Sequence, residues 1–340
     1  MQKYNIAVVG ATGMVGNTFL KVLEKYNLPV DNYYLFASSK SAGKELKIGE
    51  RSFIVEELTE TCFDNKKIDI ALFSAGGSIS EKFAPIAASK GIVVIDNSSA
   101  WRMDKDVPLI VPEVNAQAIK GYKGKNIIAN PNCSTIQAVV ALKPLFDKYG
   151  LKRIVYSTYQ AVSGAGVAGH KDLQNGIEGK KNEQFAYPIF DNCLPQIDVF
   201  LENGYTKEEQ KMIDETQKIF DDYSIKITAT AVRVPVFDCH SESINVELKN
   251  DFDVEQIKQD IKNGKGIVLQ DDPSHLIYPM AINAKGKDEV FVGRIRRDFS
   301  ADNTLNMWVV ADNIRKGAAT NTVQIAMELI SQWENGSIER

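Results

Sequence analysis

Only four of the 340 residues are cysteine and three are histidine, and the cysteines (Cys62, Cys133, Cys193 and Cys239) are widely scattered. There is no CxxC pair and no His/Cys cluster, so the sequence predicts no metal and does not read as a secreted disulfide framework. No hydrophobic run is long enough to span a membrane. A net charge of only −4 gives the chain as a whole no attraction to nucleic acid or to an anionic membrane, and any anion site must be local. The first apolar run, Ile6-Ala7-Val8-Val9, is too short and wrongly flanked for a signal peptide, which makes the cytoplasm the expected location. Internal repeats and low-complexity linkers are also absent. What remains is an ordinary globular composition, 44% hydrophobic and 25% charged, on a chain long enough to predict two domains.

The first half alternates strand-like and helix-like stretches. Asn5 to Val9 is an apolar run of strand length that enters Gly10-Ala11-Thr12-Gly13-Met14-Val15-Gly16, and a helical pattern follows through Leu20, Val22 and Leu23. Strand, glycine turn and helix form the context of a dinucleotide site, where the backbone approaches a pyrophosphate at a helix start. The spacing is GxxGxxG rather than GxGxxG. A second strand is predicted over 33–37. An NAD enzyme usually places an acid at its end, but here Ser38-Ser39-Lys40-Ser41 follows. Hydroxyls and a lysine suit a ribose 2′-phosphate, so NADP is the expected cofactor. Further strands over 68–74 and 92–95 lead into Ala75-Gly76-Gly77-Ser78 and Asp96-Asn97-Ser98-Ser99-Ala100-Trp101-Arg102, the last bringing an arginine to a strand's C-terminal end. This alternation predicts a mostly parallel, doubly wound sheet.

The segment Asn130-Pro131-Asn132-Cys133-Ser134-Thr135 precedes a run with helical spacing, Ile136 to Phe146. Asn132, Ser134 and Thr135 are all capping residues, which puts Cys133 in the first turn of a helix. The unpaired N–H groups and dipole there favour a thiolate, and the same groups offer a place for an oxyanion. Beyond Cys133 the pattern changes. Strands are predicted over 153–161, 226–236, 241–248, 290–296 and 305–311, with Ser163-Gly164-Ala165-Gly166 as a flexible turn and 180–195 as an irregular surface or interface segment. Helices are predicted over 206–221, with Thr206 and Glu209 forming a capping box, over 254–263 and over 318–333. Long strands with few helices between them predict an α+β domain whose mixed, largely antiparallel sheet is covered on one face.

Five separately placed motifs combine: the glycine turn, Ser98-Ser99-Ala100-Trp101-Arg102, Asn132-Cys133-Ser134-Thr135, Gln160-Ala161-Val162-Ser163-Gly164, and Arg233-Val234-Pro235 with His240-Ser241-Glu242-Ser243. Together they resemble aspartate-semialdehyde dehydrogenase in its shorter bacterial form, over essentially the whole chain. The resemblance implies an NADP-binding Rossmann-type domain (residues 1–132 with 317–340) and a catalytic, dimerising domain (residues 133–316). Cys133 would be the nucleophile, His240 the general acid/base, and Gln160 a group that orients the cysteine site. Arg233 would hold the substrate carboxylate and Glu208 would face its amino group, while Arg102, Lys211 and Asn132 receive phosphate. The cofactor is expected on Gly10, Thr12, Gly13, Met14, Val15 and Gly16, on Ser38, Ser39, Lys40 and Ser41, on Ala75 and Gly76, and on Ser163, Gly164 and Asn321. The implied reaction is the reversible, NADP-dependent reductive dephosphorylation of L-4-aspartyl phosphate to L-aspartate 4-semialdehyde and inorganic phosphate. It would supply lysine, threonine, methionine and diaminopimelate synthesis, in a homodimer or a tetramer.

These residue types make chemical sense together. A thiolate turns an aldehyde into a thiohemiacetal that can lose hydride and become a thioester, which phosphate then cleaves. A neutral imidazole near its working pKa can take and return the proton. Glu208 and Lys211 lie one helical turn apart on a shared face. Taken by themselves, the two would more often be a solvated pair. Some positions depart from the family pattern. Lys40 stands where many members have arginine, which leaves the margin of NADP over NAD open. Cys239 precedes His240 where a smaller residue is common, placing a second thiol near the site, and Cys193 stands in a segment expected to meet a partner subunit. A related phosphorylating reductase, N-acetyl-glutamyl-phosphate reductase, resembles Pro-Gly-Cys-Tyr around its cysteine, unlike this chain. A non-catalytic NADP sensor would keep the glycines but has no reason to hold Cys133, Gln160 and His240 together.

Overall fold

A computed structural model describes residues 2–340. The chain divides into two compact units, one built from the chain up to Pro131 together with Ala318–Arg340, the other from Asn132–Gly317.

The first unit opens with β1 (Tyr4–Val9), α1 (Met14–Tyr26) and β2 (Val30–Ala37), followed by β3 (Glu45–Ile48), β4 (Arg51–Glu57), β5 (Ile70–Phe73), α2 (Gly77–Ser89), β6 (Val93–Asp96), the short α3 (Pro112–Asn115) and β7 (Ile127–Ala129). Its seven strands lie in the order β3-β4-β2-β1-β5-β6-β7. Every pair except the β3–β4 hairpin is parallel. β1 is flanked by β2 on one side and β5 on the other, so the strand order reverses there, the place where doubly wound sheets bind ligands at their C-terminal ends. The near-continuous apolar runs of β1, β5 and β6 are explained by burial on both faces. The β3–β4 hairpin was not predicted: Glu45, Lys47, Arg51, Ser52, Glu56 and Glu57 mask its pattern, as suits a strand pair at a sheet edge.

The second unit carries α4 (Cys133–Tyr149), β8 (Leu151–Gln160), α5 (Gly166–Ile177), α6 (Lys207–Phe220), β9 (Lys226–Arg233), β10 (His240–Leu248), α7 (Val254–Lys262), β11 (Ile267–Leu269), the short α8 (Ala281–Ala284), β12 (Val290–Arg297) and β13 (Thr304–Ala311). Its six-stranded sheet runs β11-β12-β13-β10-β8-β9. The three central pairings are antiparallel and the two outer ones parallel, the mixed sheet expected from the strand pattern. β10 alternates strictly, with His240, Glu242, Ile244, Val246 and Leu248 buried.

Three expectations are corrected here. His240 is the first residue of β10, paired with Ala311 of β13, not part of the connection before it, and β9 ends at Arg233, ahead of Pro235, not at 236. The predicted flexible turn at 163–166 is a single 3₁₀ turn, Val162–Ala165, running straight into α5, a helix whose three glycines hid it. The last helix, α9, begins at Asn321 and ends at Glu334, preceded by a π-helical turn over Arg315–Thr320. α9 belongs to the first unit, where Ala319, Val323, Ala326, Leu329 and Ile330 join the core with Ile6, Val8, Phe19 and Ile95.

Candidate active site

Of the predicted cofactor residues in the first unit, all but Asn321 follow the C-terminal ends of three adjacent strands, β2, β1 and β5. Gly10 has φ +85°, and a β-carbon on it would stand 2.3 Å from Ser74 O. One on Gly16 would stand 2.0 Å from Gly10 O, so the first and third glycines are each required by a close backbone approach. Gly13 is the N-cap of α1 and Gly76 the N-cap of α2, and neither end has a side-chain cap. Met14 and Val15 open α1. Thr12 Oγ1 donates to Ser41 Oγ at 3.3 Å, tying the glycine turn to the Ser39–Ser41 3₁₀ turn, where Ser38, Ser39 and Lys40 are exposed. A Gly-rich cradle, two uncapped helix starts and an exposed Ser/Lys cluster free of acids fit a phosphorylated dinucleotide.

Arg102 also lies in the first unit and is buried, not the surface residue a lone arginine usually is. Its Nε donates to Asn130 O at 2.9 Å and its Nη2 to Asn97 O at 3.2 Å. Asn130 Nδ2 donates to Asn97 Oδ1, and Asn321 Nδ2 donates to Asn130 Oδ1, both at 2.7 Å, so Asn321 braces the same loop pair.

In the second unit Cys133 is the first residue of α4 and is partly exposed. Asn132 is the N-cap: its Oδ1 accepts from Ser134 N at 2.9 Å and Thr135 N at 3.3 Å, and its carbonyl accepts from Ile136 N. These first-turn N–H groups are therefore committed to Asn132. The expectation that first-turn N–H groups would receive an oxyanion is corrected for those of Ser134, Thr135 and Ile136.

Asn132 Nδ2 donates to Glu208 Oε1 at 2.8 Å, and Gln160 Nε2 donates to the same oxygen at 3.1 Å. Gln160 is fixed in turn by Thr158 Oγ1, which donates to its Oε1 at 3.0 Å. Lys211 Nζ bridges Glu208 Oε2 at 3.1 Å and Asp198 Oδ2 at 2.9 Å. The Glu208–Lys211 pair is thus no solvated surface pair. Burial alone would raise the Glu208 pKa, but Lys211, Asn132 and Gln160 outweigh it and hold the carboxyl below its usual value. Burial likewise opposes the charge on Lys211, and the two carboxylates more than restore it. The capping box of α6 forms as predicted, Thr206 N–H to Glu209 Oε2 and Glu209 N–H to Thr206 Oγ1, which fixes the turn carrying Glu208.

Arg233 and His240 meet around one backbone turn. Arg233 Nη1 donates to Ala161 O at 2.7 Å, and Ala161 N–H donates to His240 Nδ1 at 2.9 Å. With Nδ1 an acceptor, the imidazole proton sits on Nε2, which has no hydrogen-bond partner among the described residues. His240 is fully buried, and burial with the Arg233 charge pushes its pKa down to about 3. The expectation of an imidazole near its working pKa is corrected: in this arrangement the ring is neutral and presents Nε2–H. Gly164 is the close neighbour of both side chains. Ser163 Oγ donates to Asn313 Oδ1 at 3.0 Å. Cys239 lies in an apolar cluster with Ala284, Phe291 and Val310, where burial pushes its thiol well up, so it is an inert core residue. Cys193 is exposed.

The sequence reading missed Glu215, Asp198 and Gly317. Glu215 Oε2 accepts from Asn132 N at 2.7 Å, and a β-carbon on Gly317 would stand 2.8 Å from Cys133 Cβ. Helical spacing was the available signal for Glu215, seven residues after Glu208 and four after Lys211. Nothing in the sequence pointed to the other two.

Residues 5–122 match the family model described as semialdehyde dehydrogenase, NAD binding domain, and residues 142–316 the model of the semialdehyde dehydrogenase dimerisation domain. Aspartate-semialdehyde dehydrogenase of Aquifex aeolicus is 57% identical over 337 residues, covering 97% of this chain and 98% of its own. Aspartate-semialdehyde dehydrogenase 2 of Vibrio cholerae is 50% identical, covering 98% and 99%. Among solved structures, aspartate semialdehyde dehydrogenase II of Vibrio cholerae complexed with ASA superposes with a TM-score of 0.94 at 49% identity, over 98% of this chain and all of that one. The Candida albicans enzyme with NADP gives 0.78 at 27% identity, over 97% and 99%.

Proposed function

The chain belongs to the aspartate-semialdehyde dehydrogenase family, and from that membership we propose that it interconverts L-4-aspartyl phosphate and L-aspartate 4-semialdehyde through a thioester on Cys133, with NADP as the cofactor. As an oxidoreductase of amino-acid biosynthesis with a nicotinamide cofactor, it feeds the lysine, threonine, methionine and diaminopimelate branches in this reading, in the cytoplasm and as a homodimer through its dimerisation domain. The observation that carries the proposal is the convergence on one network of Cys133, its N-cap Asn132, Gln160, Glu208 and Lys211, with Arg233 and His240 joined at Ala161.

In the biosynthetic direction Cys133 Sγ attacks the acyl-phosphate carbonyl, the carbonyl-to-phosphate bond breaks, and phosphate leaves toward Lys211. Arg233, whose Nη1 is anchored on Ala161, grips the substrate carboxylate with its remaining donors. Glu208, held ionised by Lys211, Asn132 and Gln160, accepts the substrate ammonium. His240 Nε2–H is the preorganised donor for the oxyanion that forms at the carbonyl. A substrate carboxylate on Arg233 would also cancel part of the charge that depresses His240, so the imidazole becomes a better proton acceptor once the site is filled. A nicotinamide cofactor held on the glycine turn would, in its reduced form, supply hydride to the thioester carbonyl or, in its oxidised form, take hydride from the thiohemiacetal. Ser38, Ser39 and Lys40 would hold its 2′-phosphate.

The test is direct: the purified protein is given aspartate semialdehyde, phosphate and NADP while nicotinamide absorbance is followed. Reduction of NADP that requires both the semialdehyde and phosphate supports the assignment, and absence of phosphate dependence would end it.

A further inference from the structure

Helix α6 meets the start of the cysteine helix at two points. Glu208 and Glu215 are seven residues apart, on one face with Lys211 between them. Glu208 takes the Asn132 side chain. Glu215, only 1% exposed, takes the Asn132 main-chain N–H at 2.7 Å. That N–H belongs to the N-cap of α4, immediately before Cys133. Asn132 is therefore fixed by its side-chain oxygen to the first turn of its own helix, and by its side-chain nitrogen and main-chain nitrogen to α6. Beyond it, Cys133 Cβ lies so near Gly317 that a β-carbon there would stand 2.8 Å away. The start of α4 is held by α6 and lies in close contact with Gly317, which leaves the Cys133 backbone little latitude.

We propose that Glu215 is a positioning residue, whose grip on the Asn132 N–H sets where Cys133 Sγ meets the substrate carbonyl. It touches none of the reacting atoms. Its effect comes from geometry, because displacement of a nucleophile by about 1 Å can cost on the order of a hundredfold in rate. What matters on this account is an acceptor at the right reach. A glutamine keeps both length and acceptor, whereas an aspartate keeps the charge but falls short by one methylene. The inference rests on the reading of Cys133 as the nucleophile.

The experiment compares wild type, Glu215→Gln, Glu215→Asp and Cys133→Ala by steady-state kinetics, by the rate of Cys133 alkylation with iodoacetamide, and by melting temperature. Glu215→Gln is expected to keep kcat within about threefold. Glu215→Asp is expected to lose at least about tenfold in kcat with the KM values for semialdehyde and phosphate within about twofold, and to change the alkylation rate of Cys133. A Glu215→Asp enzyme with wild-type kcat overturns the proposal, as does a Glu215→Gln enzyme that is folded yet no better than Glu215→Asp. A shift in melting temperature with kcat and alkylation unmoved makes Glu215 a purely structural residue, which also overturns it. If Cys133→Ala keeps its activity, the nucleophile reading itself fails, an outcome distinct from these.

Discussion

Gly164 lies so close to Arg233 that a β-carbon on the glycine would stand 2.7 Å from guanidinium Nη1, and 3.4 Å from His240 Nε2. Arg233 cannot simply swing aside, because the same Nη1 is anchored on Ala161 O in a buried setting. Gly164→Ala is therefore expected to push the guanidinium off its anchor. The apparent KM for semialdehyde should rise about tenfold, by roughly the 1.4 kcal/mol that one weakened charge-assisted hydrogen bond represents. The melting temperature should move little, since Gly164 has ordinary φ. Kinetics with semialdehyde varied at saturating phosphate check it, and an unchanged KM would show that the site tolerates the methyl group.

Much of this site was legible because its parts are local. A capping residue before an apolar helical run placed Cys133 at a helix start, and Thr206 with Glu209 announced the capping box that fixes Glu208. The glycine turn was legible because only glycine fits two of its positions. Tertiary facts were not legible. The burial and neighbouring charge that push His240 down to about 3, and the bonds that tie Asn132 to Glu208 and Glu215, depend on segments distant in sequence. The β3–β4 hairpin and α5 were missed for a different reason: charged edge positions and repeated glycines erase the local pattern that a buried element would show.

The nucleophile is tested by substitution. Cys133→Ala should remove turnover while NADP still binds, because the glycine turn belongs to a separate element, and Cys133→Ser should leave at most a trace, since a hydroxyl is far less ionised than a thiol near neutral pH. NADP titration by fluorescence alongside the activity assay separates the two effects. Near-normal activity of Cys133→Ala would remove the thioester from the mechanism.

Cofactor choice is expected to follow the turn after β2. Ser38 is exposed and no acid stands in Ser38–Ser41. Ser38→Asp should repel a 2′-phosphate and offer the ribose hydroxyl an acceptor. The ratio of kcat/KM for NADP over NAD should fall by at least about tenfold, on the order of 1.4 kcal/mol. Equal use of both cofactors by wild type, with no effect of the change, would show that this turn does not read the phosphate.

Glu242 predicts a pH dependence of stability. It is wholly buried in β10, both carboxyl oxygens lack partners among the described residues, and burial raises its pKa well above the usual carboxyl value. The folded protein then keeps this proton at pH values where the unfolded chain has released it. The sign follows: stability is fullest below the unfolded pKa and falls as pH rises above it toward the folded pKa, by about 1.4 kcal/mol per pH unit. Glu242→Gln has the same shape and no proton to lose. Its melting temperature should match wild type near pH 4 and exceed it at pH 8, and parallel melting curves across that range would show that Glu242 does not set the slope.

The proposed phosphate site makes opposite predictions for Lys211 and Asp198, which are hydrogen-bonded to each other. Lys211 is shared between Glu208 and the half-exposed Asp198. Glu208 is buried, and in the proposed mechanism it is reserved for the substrate ammonium, whereas Asp198 would compete with phosphate for the Lys211 ammonium group. Asp198→Asn should therefore lower the apparent KM for phosphate by a few fold, the scale of a partly exposed ion pair of about 0.5 to 1 kcal/mol. Lys211→Ala and Arg102→Ala should raise it, and should slow acyl transfer to phosphate more than the hydride step that precedes it. Mixed rapidly with semialdehyde and NADP, these two enzymes should still give one burst of NADPH per site, followed by a slow steady state that accelerates with phosphate. Loss of the burst itself, with the KM for phosphate unchanged, would mean that these cations serve the carbonyl and not the phosphate. A raised KM in Asp198→Asn would mean that this carboxylate orients Lys211 and does not compete with phosphate for it.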